Sequence, residues 1–89
     1  MGAIFFVIMY YVYILYSHIR DRYYVGYTQD ISVRLMKHNA GATPSTRSGR
    51  PWKLIYSECY GTKEAALARE REIKMKKSRS YIEQLLAKG

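Results

Sequence analysis

The chain has 89 residues, enough for one small domain that buries roughly 60–70% of the surface its unfolded form exposes. Hydrophobic residues make up 48%, with ten tyrosines, and 25% are charged, which supports a modest core and excludes a disordered tail. Fifteen Lys and Arg against seven Asp and Glu leave a net charge of +8, a field that attracts polyanions, nucleic acid first and an anionic membrane surface second. Cys59 is the single cysteine, so an intramolecular disulfide and a Cys-based zinc site are excluded and a reducing cytoplasm fits best.

The run from Ala3 to Tyr16 is continuously apolar or aromatic. No Lys or Arg precedes it, no small-residue cleavage site follows it, and about 20 apolar residues are needed to span a bilayer as a helix, so no stable membrane insertion is expected. Residues 1–9 read as an apolar N-terminal extension, with Met9 an alternative start, and residues 10–89 as a single domain. Enrichment in Ile, Val and Tyr without polar alternation predicts a central strand over 10–16, buried on both faces. Ser17 to Asp21 is polar enough for a hairpin turn, and Arg22 to Thr28 supplies the antiparallel partner. Asp30 is placed to cap a helix through about His38, stopped by Asn39-Ala40-Gly41.

Ala42 to Pro51, rich in Thr, Ser, Arg, Gly and Pro, reads as a mobile loop. In 52–60, Trp52, Leu54 and Tyr56 alternate with Lys53, Ile55 and Ser57, which predicts a third strand with those two sets on opposite faces. Gly61-Thr62 opens a helix to about Lys77, and Ser80-x-x-Glu83 is a capping box ahead of Ile82, Leu85 and Leu86, a short last helix. The order β-β-α-β-α-α predicts a small α/β fold of the α+β kind: a three-stranded antiparallel sheet flanked by helices.

Several residues in this frame carry chemistry. Tyr13 lies in Val12-Tyr13-Ile14 and Tyr24 opens Tyr24-Val25-Gly26; Arg34, His38 and Glu70 follow in order. A hairpin can bring both phenols to one side of the sheet if the register permits. Arg34 and His38 are four residues apart and share a helix face, and Glu70 falls beside Ala66 and Ile73 at the edge of an inward stripe. Each has a plainer role available: tyrosines as core with a hydrogen-bonded tip, a solvated arginine, a histidine at a helix end, and an i,i+4 pair between Glu70 and Lys74.

The ordered set resembles the GIY-YIG nuclease family, in its small stand-alone bacterial form, from about Tyr11 to about Leu86. The family's name spells the two triplets. The resemblance implies a metal-dependent endonuclease that hydrolyses DNA phosphodiester bonds, in which Tyr13, Tyr24, Arg34 and His38 are catalytic and Glu70 holds one Mg²⁺ or Mn²⁺, with Glu72 and Glu64 as alternatives ranked behind it. Gly26 is structural, giving close approach near the end of its strand. A phenol is a poor base at neutral pH and needs cations nearby, whereas an arginine fork matches phosphate oxygens and keeps its charge. The chain departs from the family pattern at Val12, where glycine is usual, at Val33, where arginine is frequent, and in lacking a late asparagine, for which Asn39 is the available stand-in.

Arg47 and Arg50 in the loop, and Lys74, Lys76, Lys77 and Arg79 beyond it, are candidates for nucleic-acid backbone contacts, helped by an excess of four basic residues between Thr62 and Arg79. Nothing reads base edges, so branched, nicked or single-stranded DNA is the expected substrate, as in DNA repair, with a protein partner supplying any further specificity. Two other readings stay open: a nucleic-acid-binding module with a vestigial site, and a membrane-associated interaction protein using its apolar N-terminus.

Overall fold

The computed structural model describes residues 7–88; residues 1–6, most of the apolar extension, lie outside them. β1 (Tyr10–Ser17) is the middle strand of an antiparallel sheet, between β2 (Arg22–Thr28) and β3 (Trp52–Tyr60). Its position explains its composition, because Val12, Tyr13, Ile14 and Leu15 are all at most 1% exposed and no polar residue could alternate with them. On one face Val12, Ile14 and Val25 pack with Ala66 and Ile73 of α2 (Lys63–Lys76) and Ile82 and Leu85 of α3 (Arg79–Lys88). On the other, Tyr13, Leu15 and Trp52 meet Tyr24, Leu54, and Ile31 and Leu35 of α1 (Ile31–Asn39).

The expected caps hold at α1 and α2. The Asp30 carboxylate accepts from Val33 N–H at 3.1 Å, and the Thr62 hydroxyl accepts from Ala65 N–H at 3.1 Å. At α3 the sequence reading is two residues late: the Ser78 hydroxyl, not that of Ser80, accepts from Tyr81 N–H at 3.2 Å, and Glu83 pairs with Arg79. Two equivalent serines bracket that start, and the box spacing selects the wrong one.

The alternation predicted for β3 breaks in the middle. Leu15 pairs with Leu54 and Ile14 with Tyr56, which leaves Ile55 as an extra residue in a bulge. Tyr56, Glu58 and Tyr60 therefore face α2 and α3, and Tyr56 does not share a face with Trp52 and Leu54. The flip carries a carboxylate into that layer. Glu58 accepts from Arg69 Nε and Nη2 at 2.8 and 3.0 Å and from the Tyr60 hydroxyl at 2.7 Å, and also from Tyr56. Arg69 reaches on to Glu72 at 2.7 Å and to the Tyr81 hydroxyl at 3.0 Å, so one ion pair ties β3, α2 and α3 together.

Burial alone would push the Glu58 carboxyl up; Arg69 and the two tyrosine hydroxyls outweigh it and hold it down at about 2, against an ordinary 4.5. A depressed carboxylate stabilises the fold above its unfolded value, and the contribution fades as pH falls through the folded value. Urea midpoints measured from pH 5 downward should therefore decline toward pH 2, and Glu58→Gln should flatten that decline while lowering the midpoint near neutrality.

Candidate active site

The hairpin register decides where the first tyrosine can point. Tyr13 is paired with Gly26 and Leu15 with Tyr24, so both phenols project from the α1 face as diagonal neighbours, their ring centroids 6.4 Å apart. Gly26 is the floor on which Tyr13 lies. A Cβ built at that position would stand 2.5 Å from the Tyr13 hydroxyl oxygen and 2.7 Å from Cζ, closer than side chains tolerate. The close approach expected at Gly26 is thus made by the first tyrosine itself.

α1 crosses above the two rings and delivers His38 between them and the following segment. The side chain is fully buried, so it is not a helix-end histidine in solvent. Its Nε2 lies 3.0 Å from the Tyr13 hydroxyl and its Nδ1 2.8 Å from the Thr46 hydroxyl, which in turn donates to the Thr43 carbonyl at 3.3 Å. Tyr24 packs edge-on against the imidazole at 5.0 Å between centroids and against Trp52 at 6.2 Å. The ring is clamped on every side.

Thr46 belongs to the stretch read as a mobile loop, and there the sequence reading needs correction. Pro44–Gly49 is a 3-10 helix tied down at several points. Trp52 Nε1 donates to the Thr46 carbonyl at 2.6 Å and the buried Ser17 hydroxyl to the Gly49 carbonyl at 2.6 Å. Asn39 is occupied too: its amide donates to the Trp52 carbonyl at 3.0 Å and accepts from Trp52 N–H at 2.6 Å. It fastens α1 to the start of β3 and is no stand-in for a late asparagine.

Burial raises the Tyr13 phenol above its ordinary value; Arg34 works against that, while Tyr24 and the Glu70 charge add to it. Burial, then the Arg34 charge, lowers the His38 imidazole. Both members of the pair are therefore neutral near pH 7. Arg34 itself is exposed, on the wall of a groove of about 520 Å³ whose other basic residues are Lys37 and Lys63, neither of which the sequence reading singled out.

Glu70 is close enough to be felt by the Tyr13 phenol, and its side chain is 14% exposed, so the inward phase predicted for it is observed. It also forms the i,i+4 pair with Lys74, at 2.9 Å. Glu72 is taken by Arg69 and Glu64 is exposed. Among the described residues no three His, Cys, Asp or Glu cluster, which does not suit a closed protein cage for a metal. Glu70 does not line the Arg34 groove; it lies on a separate surface with Leu67, Arg71, Lys74 and Lys77, where a single hard carboxylate fits a hydrated Mg²⁺ or Mn²⁺, which keeps several waters and takes further oxygens from phosphate.

The remaining basic candidates divide by what already holds them. Arg47 Nε donates to the Gly41 carbonyl at 2.9 Å and Arg50 Nε to the Arg47 carbonyl at 2.8 Å, both on the exposed rim above His38. Gly41, at φ +80°, leaves room for the Arg50 guanidinium beside it. Lys76 lies 5.3 Å over the Tyr81 ring, and Lys77 is exposed in the left-handed turn that ends α2. Arg79 pairs with Asp21 at 2.6 Å and Glu83 at 3.4 Å and stacks on Tyr23. Lys74 and Arg79 are thus compensated within the chain.

The chain belongs to the GIY-YIG family: the GIY-YIG catalytic domain matches residues 9–83, and the sheet and flanking helices have the order expected of it. Membership implies a nuclease-type function, and such nucleases generally use divalent metal ions. Within that family the chain is similar to UPF0213 proteins. It is 44% identical over 66 residues to one from Bacillus pumilus, covering 70% of this chain and 67% of that one. It is 48% identical over 52 residues to one from Haloquadratum walsbyi, covering 57% and 58%. The solution NMR structure of a UPF0213 protein from Bacillus halodurans superposes with a TM-score of 0.57 at 36% identity, covering 89% of this chain and 83% of that one. The matched segments span from 58% to 67% of the two curated relatives' own lengths, and their names state no activity.

Proposed function

We propose that this chain is a metal-dependent endonuclease that hydrolyses DNA phosphodiester bonds and selects its substrate by shape rather than base sequence, favouring branched, nicked or single-stranded DNA. The observation that carries this reading is the buried pairing of the Tyr13 hydroxyl with His38 Nε2 beside the charges of Arg34 and Glu70. Hydrolysis needs a base for the attacking water and positive charge for the phosphoryl oxygens.

Tyr13 takes the water's proton as its own passes to His38 Nε2, so neither a free phenolate nor a charged imidazole has to exist beforehand. The water oxygen bonds to phosphorus, the ester bond to the leaving oxygen breaks, that oxygen takes a proton from solvent water, and the proton gained by His38 returns through Tyr13 to the hydroxide so formed. Arg34, at the groove wall, clamps the phosphoryl oxygens. Tyr24 holds the imidazole in plane for the transfer. Glu70 holds the divalent ion, releasing Lys74; when bound, the ion supplies further positive charge to the phosphoryl oxygens and the leaving group. Arg47, Arg50, Lys76 and Lys77 steady the flanking backbone, while Lys74 and Arg79 must first give up their carboxylates to join them. Gly26 preserves the position of Tyr13. Cys59, exposed and alone, suits the reducing cytoplasm, and among the described residues no helix is long and apolar enough to cross a membrane. A protein partner would supply any sequence preference.

The deciding experiment incubates purified protein with branched, nicked, duplex and single-stranded DNA, with Mg²⁺ or Mn²⁺ and with chelator. Cut product that chelator abolishes is the expected result. Glu70→Ala should lower the rate by roughly 10–100-fold at low ion concentration and recover partly as the ion is raised. Salt-sensitive binding with no product on any substrate would replace this reading with that of a binding module.

A further inference from the structure

The pairing of Tyr13 with His38 supports proton transfer only if Nε2 carries a lone pair rather than a hydrogen, and nothing in the pair itself decides that. Thr46 does. The Thr43 carbonyl, at the cap of the 3-10 helix and 3.3 Å from the Thr46 hydroxyl, can only accept, and giving it the one hydroxyl hydrogen leaves the oxygen facing His38 with lone pairs. His38 Nδ1 must then be the protonated nitrogen, donating to Thr46 across 2.8 Å, and Nε2 is left to accept from the Tyr13 hydroxyl across 3.0 Å. Reversing one bond reverses the others, and the Tyr13 oxygen would become an acceptor, with its own hydrogen left pointing away from the imidazole.

We infer that Thr46 is a positioning residue that fixes the His38 tautomer, and that the 3-10 helix over Pro44–Gly49 exists to hold its hydroxyl in place. Thr46 is 1% exposed, its carbonyl is engaged by Trp52, and no buried side-chain nitrogen or oxygen among the described residues lacks a partner. The relay from the Thr43 carbonyl to the Tyr13 hydroxyl is therefore complete, with a partner for every polar atom in the direction inferred. This inference rests on the nuclease reading for its catalytic meaning, but the tautomer itself is a property of the protein without DNA.

Nitrogen-15 NMR of the imidazole, at a pH where the ring is neutral, reads the tautomer directly. Wild-type protein should show His38 protonated at Nδ1 and bare at Nε2. Thr46→Val, close to the native shape but without the oxygen, should move the ring toward the Nε2-protonated form, and Thr46→Ser should restore the native pattern. On cleavable DNA, Thr46→Val should lose on the order of 10²-fold in kcat with little change in KM, and Thr46→Ser should retain most of the rate. A wild-type ring protonated at Nε2 overturns the inference even if Thr46→Val fails to fold; so does a folded Thr46→Val variant that keeps the native tautomer. If the tautomer is as stated and no DNA is cut, the nuclease reading fails and this one stands.

Discussion

Tyr13→Phe is expected to lower the rate of DNA cleavage by about 10²–10⁴-fold while the sheet stays assembled. The substitution removes one oxygen and leaves a ring of the same outline over Gly26, so the packing of β1 against β2 is retained. It leaves His38 Nε2 buried without a partner, a cost of about 1–3 kcal/mol in stability. Rate and denaturant midpoint measured on the same preparation separate the two effects. A Tyr13→Phe protein that cuts within a few-fold of wild type would remove Tyr13 from the chemistry, and Tyr24 would be the next phenol to test.

Gly26→Ala should be nearly as damaging for activity, through geometry alone. One methyl group placed 2.5 Å from the Tyr13 hydroxyl forces that ring up and away from the β2 backbone, and the ring is held from above by α1 through His38. Overpacking of this kind costs about 1–3 kcal/mol. A phenol shifted by about 1 Å from its proton acceptor accounts for a loss on the order of 10²-fold in rate. The informative comparison is with Gly61→Ala, where an added Cβ meets nothing within 4 Å: that variant should keep its activity. Equal behaviour of the two would show that the floor under Tyr13 is not what limits the site.

The parts of this protein that could be read from sequence are those whose signals are local. A strand buried on both faces betrays itself by an unbroken apolar run, as Val12 to Leu15 do, and Asp30 and Thr62 announce helices because a side chain must accept the first amide hydrogens. Tyr13, Tyr24, Arg34, His38 and Glu70 are legible as an ordered set, and the meeting of Tyr13, Tyr24 and His38 follows from hairpin register and helix phase. What stayed hidden depends on contacts far along the chain. Ile55 carries no mark of a bulge, because any residue can be the extra one where β1 and β3 fall out of step. Thr46 looks like every other hydroxyl in a polar stretch and is buried only because Trp52 and His38 converge on it. Lys74 and Arg79 look like open cations until their carboxylate partners are placed.

The amide of Asn39 has a consequence beyond fastening a helix. β3 is an outer strand of the sheet, and such a strand presents a row of unsatisfied N–H and C=O groups to any extended chain that drifts past. At Trp52 both groups are taken by one side chain, which imitates the missing neighbour with a donor and an acceptor on a single planar head. The end of the strand nearest His38 is thereby sealed against a foreign strand, and self-association by β-addition is denied its foothold beside the buried pair of Tyr13 and His38.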